Sequence, residues 1–140
     1  MSIGEADPAA IVAELHRRQG AMYAGGPVHE VAELLADDIV WHVPGSSSIA
    51  GHHRGVDAVL AYFEKRRSIA AGTMRMRPGG AISAGDAFAQ FVSGEAVLGG
   101  AHVTWQTVGV YRLAAGRVAE VWLVPLDLDL FDRIWSAAAA

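Results

Sequence analysis

The clearest alternation of apolar and polar residues is the segment Ile-Val-Trp-His-Val at residues 39–43. A period of two residues predicts a β-strand whose two faces differ. Pro44 and Gly45 end this strand, because proline cannot donate a hydrogen bond to a neighbouring strand. The sequence then predicts a loop containing residues 52–54 (His-His-Arg) and a helix over residues 56–71. Three histidines and an arginine are therefore expected around one strand and one loop.

Before this strand, apolar positions recur at helical spacing. Asp7 and Pro8 are typical of a helix start, where aspartate caps the first turn and proline needs no hydrogen-bond partner. This first helix is predicted to end at Gly25, and a short second helix follows Pro27.

After Gly72 the period returns to two residues. A short strand is predicted over residues 73–77, and three longer strands over 87–98, 101–113 and 117–124 are joined by short glycine turns, as in an antiparallel meander. An aspartate at 127 or 129 begins a last helix. We expect an α+β fold in one domain, residues 1–140: a cone-shaped, curved antiparallel sheet with three N-terminal helices on its concave side and a short C-terminal helix. The mouth of such a cone is a natural small-molecule site.

The composition narrows the choice of partner. Hydrophobic residues make up 52% of the chain and the mean hydropathy is +0.26, which indicates apolar surface for a cavity or a subunit interface. The net charge of −4, without a basic stripe, argues against nucleic acid. No apolar run approaches the roughly 20 residues that span a bilayer, and the first ten residues do not resemble a signal peptide. We therefore expect a cytoplasmic protein that does not bind membranes.

Two stretches carry a family resemblance: residues 38–45 (DIVWHVPG) and residues 116–122 (GRVAEVW), the second followed by Pro125, Asp127 and Phe131. With them, the chain resembles the SnoaL-like branch of the nuclear transport factor 2-like superfamily from its first helix to its last. The resemblance implies the cone fold and pairing through the sheet as a homodimer. The superfamily includes ketosteroid isomerase, scytalone dehydratase, limonene epoxide hydrolase, polyketide cyclases and many non-enzymes, so the fold leaves the reaction open.

The catalytic residues of those relatives are mostly replaced here. The ketosteroid isomerase base would fall at Val43, its oxyanion tyrosine near Arg18 and its protonated aspartic acid near Gly109. An aspartate of limonene epoxide hydrolase would fall at Val124. The acidic residue of SnoaL-like cyclases has its nearest counterpart in Asp127, displaced by one position.

Three residues are the predicted acid–base groups: His42, Asp127 and Glu95. Imidazole titrates near neutrality, so His42 suits general acid or base catalysis, or else it holds the Pro44 loop by a hydrogen bond. Asp127 either orients a histidine and moves a proton or caps the last helix. Glu95, which resembles the other aspartate of limonene epoxide hydrolase, is either catalytic or a solvated strand end.

The predicted substrate contacts come from aromatic residues and one arginine. In the long strand, Trp105 shares a face with Gly109, which lets a ligand approach the backbone. Trp122 and Glu120 are two residues apart on the last predicted strand, so if the Trp122 side chain faces inward, that of Glu120 does too. Each tryptophan is otherwise an ordinary core residue. The predicted set is Trp41, Arg54, Trp105, Trp122, Tyr23 and Phe63.

Metal and cofactor sites are not expected. The histidines lack the i, i+4 or i, i+2 spacing of a metal chelate, and the paired glycines lie in hairpins rather than in a dinucleotide-binding loop. Two function classes remain. One is a cofactor-independent proton-transfer enzyme, of the isomerase, cyclase, dehydratase or epoxide hydrolase type, acting on a small apolar oxygenated molecule. The other is a non-catalytic protein that binds such a molecule.

Overall fold

A computed structural model describes residues 7–139. The expectation about a signal peptide concerns residues that lie mostly outside this range. The elements follow in the order α1 (Pro8–Tyr23), α2 (His29–Ala32), β1 (Leu35–Val43), β2 (Gly51–Arg54), α3 (Val56–Ala70), β3 (Arg75–Ala84), β4 (Ala87–Leu98), β5 (Ala101–Ala114), β6 (Arg117–Pro125) and α4 (Leu128–Ala139).

The six strands form one sheet in the order β2-β1-β6-β5-β4-β3. The strands from β3 to β6 are an antiparallel meander, as predicted, and β1 pairs antiparallel with β2. The β1 and β6 strands run parallel, so the sheet is mixed rather than wholly antiparallel. The α+β class is confirmed, with three helices before the meander and one after it.

Two local predictions are wrong. Residues 51–54 form an edge strand instead of a loop, with His52 opposite His42 in the register. The β3 strand does not end at Pro78 but continues to Ala84, because a register shift between Pro78 and Ala81 absorbs the two glycines as a bulge. Pro78 is tolerated because β3 is an edge strand.

The sheet has an inner face, covered by helices, and an outer face. The inner face carries the buried side chains of β1 and β5, among them Ile39, Trp41, Trp105 and Tyr111. Helix α3 packs Tyr62 and Phe63 against Trp41, and α4 packs its aromatic residues against Trp105. The outer face instead exposes large apolar side chains: Phe91, Val97, Trp122 and Val124. A homodimer through this face stays a prediction.

A bulge in β6 decides which side chains face inward. Arg112 lies opposite Glu120 while Leu113 lies opposite Val118, so Ala119 is an extra residue. Val118 and Ala119 are both buried, and the alternation restarts with Val121 inward. Glu120 and Trp122 therefore lie on the outer face, and the prediction that Trp122 faces the cavity is wrong.

Among residues 7–139, no helix is long and apolar enough to cross a membrane.

Candidate active site

A small, partly open cavity lies between the inner face of the sheet and helices α1 and α3. Its volume is about 30 Å³, close to the share of liquid volume of a single water molecule. Three of its polar side chains, those of His16, Gln19 and Arg66, come from helices, and the others come from the middle of strands rather than from strand ends. The polar and aromatic residues that matter below are His16, Gln19, Trp41, Arg66, Trp105 and Tyr111.

His16 and Tyr111 form a hydrogen-bonded pair in this wall. His16 Nε2 lies 3.1 Å from the Tyr111 hydroxyl oxygen, and the rings meet edge to face. Gly109 makes room for the pair, because a Cβ there would lie 2.5 Å from the Tyr111 hydroxyl oxygen. Burial lowers the pKa of His16 from 6.5 to about 4 and raises the pKa of Tyr111. Both side chains are therefore neutral at physiological pH.

Arg66 is a buried cation on the other side of the cavity. Its side chain is only 4% exposed, and its Nη1 donates a hydrogen bond to the Tyr62 hydroxyl at 3.1 Å. No carboxylate in the described part of the chain lies within 4 Å of its guanidinium. Aromatic rings surround the guanidinium, Trp135 nearest at 4.8 Å and Tyr23 and Tyr62 at 5.8 Å each. Cation–π contacts only partly replace the hydration of a charge.

Polar atoms without partners gather at the same place. Among the described side chains, five buried nitrogen or oxygen atoms make no hydrogen bond. All five belong to residues that line the cavity or contact Arg66. Buried polar groups are normally satisfied, so such a concentration points to a ligand or to ordered water. The atoms are His16 Nδ1, Tyr23 Oη, Trp41 Nε1, Arg66 Nε and Trp135 Nε1.

His16, Arg66 and Tyr111 were not among the functional residues predicted from the sequence. In the sequence His16 precedes two arginines and Arg66 lies between Lys65 and Arg67, so both resemble parts of a solvated charged face. Helical spacing was the available signal. His16 follows Val12 by four residues, and Arg66 follows Tyr62 by four, so each continues an inward row.

His42, the first predicted catalytic residue, lies on the outer face. Its Nε2 is 2.6 Å from a carboxylate oxygen of Glu120, and its Nδ1 is 2.6 Å from Nδ1 of His52. Trp122 stacks on the His42 ring with centroids 5.5 Å apart, and Arg112 also contacts Glu120. The hydrogen bond from His42 lowers the pKa of Glu120. We call these five residues the outer-face cluster.

Glu95 and Asp127, the other predicted catalytic residues, line a separate pocket of about 380 Å³ that also contains Arg75 and Arg77. Asp127 Oδ1 accepts a hydrogen bond from the backbone N–H of Leu130 at 3.0 Å, so it caps α4. Glu95 contacts His102 at 3.0 Å on the outer face. The structure thus brings these two carboxylates to one pocket, whereas His42 lies in a different pocket of about 590 Å³ that His52 and Trp122 also line.

The residues predicted to contact the substrate are also divided among different parts of the structure. Trp41 and Trp105 line the interior cavity, and Trp105 also borders the pocket of Glu95 and Asp127. Tyr23 is buried against Arg66, and Phe63 is buried edge to face against Trp41 with ring centroids 4.9 Å apart. Arg54 is exposed on β2.

Within the described residues, no group of three or more histidine, aspartate or glutamate side chains could hold a metal ion. The outer-face cluster supplies two histidines and one carboxylate, but that carboxylate bonds to the second ring nitrogen of His42 instead of facing the gap between the histidines.

Comparisons with known proteins agree with this fold. A family model for the SnoaL-like domain matches residues 16–121. Uncharacterised proteins of Mycobacterium bovis and Mycobacterium tuberculosis are 32% identical to this chain over 108 residues, which cover 77% of this chain and 69% of theirs.

Two solved structures are similar over most of the chain. Bal32a, from a soil-derived mobile gene cassette, has a TM-score of 0.80 and 28% identity, covering 92% of this chain and 99% of its own. SalBIII, an epoxide hydrolase/cyclase-like enzyme with a role in pyran ring formation in polyether salinomycin, has a TM-score of 0.69 and 21% identity, covering 84% and 89%. At this level of identity, the similarity to SalBIII shows a shared fold only. From the match to the family model and the mycobacterial relatives, the chain belongs to the SnoaL-like domain family.

Proposed function

We propose that this protein is a cofactor-independent proton-transfer enzyme whose site is the interior cavity. The observation that carries the proposal is the pairing, across one small cavity, of a neutral His16 with a buried Arg66 that lacks a carboxylate partner. A proton acceptor and a fixed positive charge are the two groups that removal of a proton next to a carbonyl requires.

His16 is the proposed proton carrier. When its Nε2–H donates to Tyr111, the lone pair of Nδ1 is free, and this is one of the atoms without a partner. Tyr111 then fixes the tautomer and the orientation of the ring. A histidine with a pKa of about 4 is a weak base in the empty site. A negative charge developing on the substrate raises the pKa of His16, so the residue becomes a stronger base as the proton moves.

Arg66 is the proposed electrostatic group. As the carbon–hydrogen bond breaks, its electron pair passes to the carbonyl and the negative charge collects on the oxygen. An N–H donor of Arg66, such as the unpartnered Nε, can bond to that oxygen at a position that is shielded from bulk water. Return of the proton from His16 to another carbon completes an isomerisation. Attack of the enolate carbon on a second carbonyl breaks that carbonyl's π bond, and transfer of the proton from His16 to the resulting alkoxide completes a cyclisation.

The walls favour a small, largely apolar substrate with one or two oxygen atoms. Trp41, Trp105, Val92 and Leu123 surround the polar groups. The fold shared with SalBIII, named as an epoxide hydrolase/cyclase-like enzyme, supports chemistry of this class.

The experiment is exchange of carbon-bound protons for deuterium, followed by NMR in D₂O over a panel of cyclic ketones and 1,3-dicarbonyl compounds. His16→Gln is expected to lower enzyme-dependent exchange by about 10²–10⁴-fold, the usual contribution of general acid–base catalysis. His29→Gln, on the exposed surface of α2, is the matched control and should leave exchange unchanged. His42→Gln and Asp127→Asn test the alternative sites. If either of these variants lost exchange while His16→Gln kept it, the active site would lie outside the cavity.

One observation favours a second function. The described residues that line the cavity include no carboxylate, so a substrate must provide the only negative charge near Arg66. Non-catalytic binding of an anionic small molecule needs no more than that. Saturable binding of such a molecule, with no proton exchange in any member of the panel, would favour this alternative.

A further inference from the structure

A groove lies beside the interior cavity, between helix α1 and the edge of the sheet formed by β3 and β4. Its volume is about 630 Å³, within the range of about 300–1,000 Å³ that is usual for pockets that bind small organic molecules. The cavity itself measures about 30 Å³, roughly the share of one water molecule. A substrate therefore fits the groove but does not fit the cavity.

The groove and the cavity adjoin each other. They share the side chains of His16 and Met76, which line both. On β4, Gln90 lines the groove and Val92 lines the cavity. Residues two apart on a strand face the same side of the sheet. The two spaces therefore follow one another along the inner face, and they meet at the histidine that we propose as the proton carrier.

The walls of the groove suit an uncharged, largely apolar molecule. Ala13 on α1 and Ala81 on β3 keep the groove wide, and Phe88 contributes apolar surface. Among the described residues that line it, Arg17 is the one charged side chain, and its guanidinium donates to the Glu14 carboxylate at 2.6 and 2.7 Å. That charge already has a partner, so a charged skeleton would gain little in exchange for its lost hydration.

We propose that the groove holds the carbon skeleton of the substrate, while one carbonyl oxygen enters the water-sized cavity beside Arg66. The carbon next to that carbonyl then lies at the junction, within reach of His16. The unbranched side chain of Met76 adapts to different skeletons there, so no helix has to move. The substrate is accordingly an uncharged ketone with a skeleton much larger than the cavity. This inference rests on the proposed roles of His16 and Arg66.

β-Tetralone and tetralin are matched probes, because they share two fused rings and only β-tetralone has a carbonyl oxygen. We expect the unmodified protein to bind β-tetralone more tightly, although tetralin is the more apolar molecule. Arg66→Met should weaken the binding of β-tetralone about 10-fold, the effect of losing one hydrogen bond from a charged donor. It should leave the binding of tetralin unchanged. Titrations followed by NMR give these affinities.

Ala13→Trp tests whether the rings lie in the groove. Ala13 is exposed and lines the groove, so a large side chain there fills the groove without entering the core. We expect this variant to bind both probes at least about 10-fold more weakly than the unmodified protein. Ala10→Trp is the matched control, because Ala10 is also exposed on α1 but does not line the groove. It should bind both probes as the unmodified protein does.

Three results would overturn the proposal. Equal affinity of Ala13→Trp and Ala10→Trp for β-tetralone would place the ligand outside the groove. Equal affinity of the unmodified protein for the two probes would mean that no carbonyl oxygen reaches Arg66, and this comparison remains valid if Arg66→Met does not fold. Absence of saturable β-tetralone binding would mean that the groove is not a ligand site.

These titrations need no turnover, so they separate the groove from the reaction. Binding of β-tetralone with the expected dependence on Ala13 and Arg66, but without enzyme-dependent exchange of its protons, would support the groove and count against the proposed reaction.

Discussion

His16 should make the stability of this protein fall steeply in mild acid. Its side chain is largely buried, and burial lowers its pKa from 6.5 to about 4. Between these two values the unfolded chain binds a proton at this residue and the folded chain does not. Protonation then favours unfolding, so the free energy of unfolding decreases as the pH falls from 6.5 towards 4 and is unaffected by this residue above 6.5.

The magnitude follows from the two pKa values. Each pH unit in this range costs up to about 1.4 kcal/mol, and the whole interval costs about 3 kcal/mol. His16→Gln removes the titrating group while keeping a polar side chain of similar reach. The variant should be less stable than the unmodified protein at pH 7.5, by about 1 kcal/mol for the lost hydrogen bond to Tyr111. It should be the more stable of the two near pH 4.5.

Urea unfolding, followed by tryptophan fluorescence at pH 7.5, 6.5, 5.5 and 4.5, measures this difference. Comparing the two proteins at each pH cancels the contribution of the other titrating groups. His29→Gln removes an exposed histidine instead. The difference in stability between this variant and the unmodified protein should not change sign between pH 7.5 and 4.5. A difference between His16→Gln and the unmodified protein that stays constant from pH 7.5 to 4.5 would refute the claim that burial lowers the pKa of His16.

Two further predictions concern the cavity wall and the outer face. Gly109→Ala places a Cβ against the Tyr111 hydroxyl and should destabilise the protein by about 1–3 kcal/mol in urea unfolding, whereas Gly20→Ala, in open space on α1, should stabilise it by about 0.5–1 kcal/mol. Glu120→Gln should cost about 0.5 kcal/mol at pH 7. That cost should shrink as the pH falls through the lowered pKa of Glu120, because protonation of Glu120 already weakens its hydrogen bond from His42 and removes its ion pair with Arg112 in the unmodified protein. An unchanged cost at low pH would count against these contacts.

The sequence predicted the parts of the fold that depend on local pattern. Residues 39–43 alternate as expected, and the strand that carries Trp105 keeps one face throughout, so its inward residues were assigned correctly. The bulge at Ala119 has no comparable signal, since alanine fits either face of a strand. A single extra residue places Glu120 and Trp122 on the outer face, where Trp122 lines a pocket with His42 and His52 instead of the interior cavity.

The candidate site was harder to predict because its chemistry lies on helices. His42, Asp127 and Glu95 were predicted because they lie near strand ends or loops and because their side chains can transfer protons. The structure gives all three a local partner instead: Glu120, the first turn of α4 and His102. His16 and Arg66 are recognisable only when burial is known, because a charged residue on an inward helical row looks the same in sequence as one on a solvated face.

Arg66 links the stability of this protein to its proposed function. Burying a guanidinium without a carboxylate costs several kcal/mol, and three aromatic rings, each contributing about 1–2 kcal/mol, offset only part of that. A methionine would fill the same space without the electrostatic cost. Under the proposed function the arrangement would become favourable when an anion enters, because that anion would obtain a cation and neutral hydrogen-bond donors at a position shielded from bulk water. The same anion would raise the pKa of His16, and ligand binding would then be coupled to proton uptake. Helix α4, with Trp135 over the guanidinium, reduces the electrostatic cost while the site is empty.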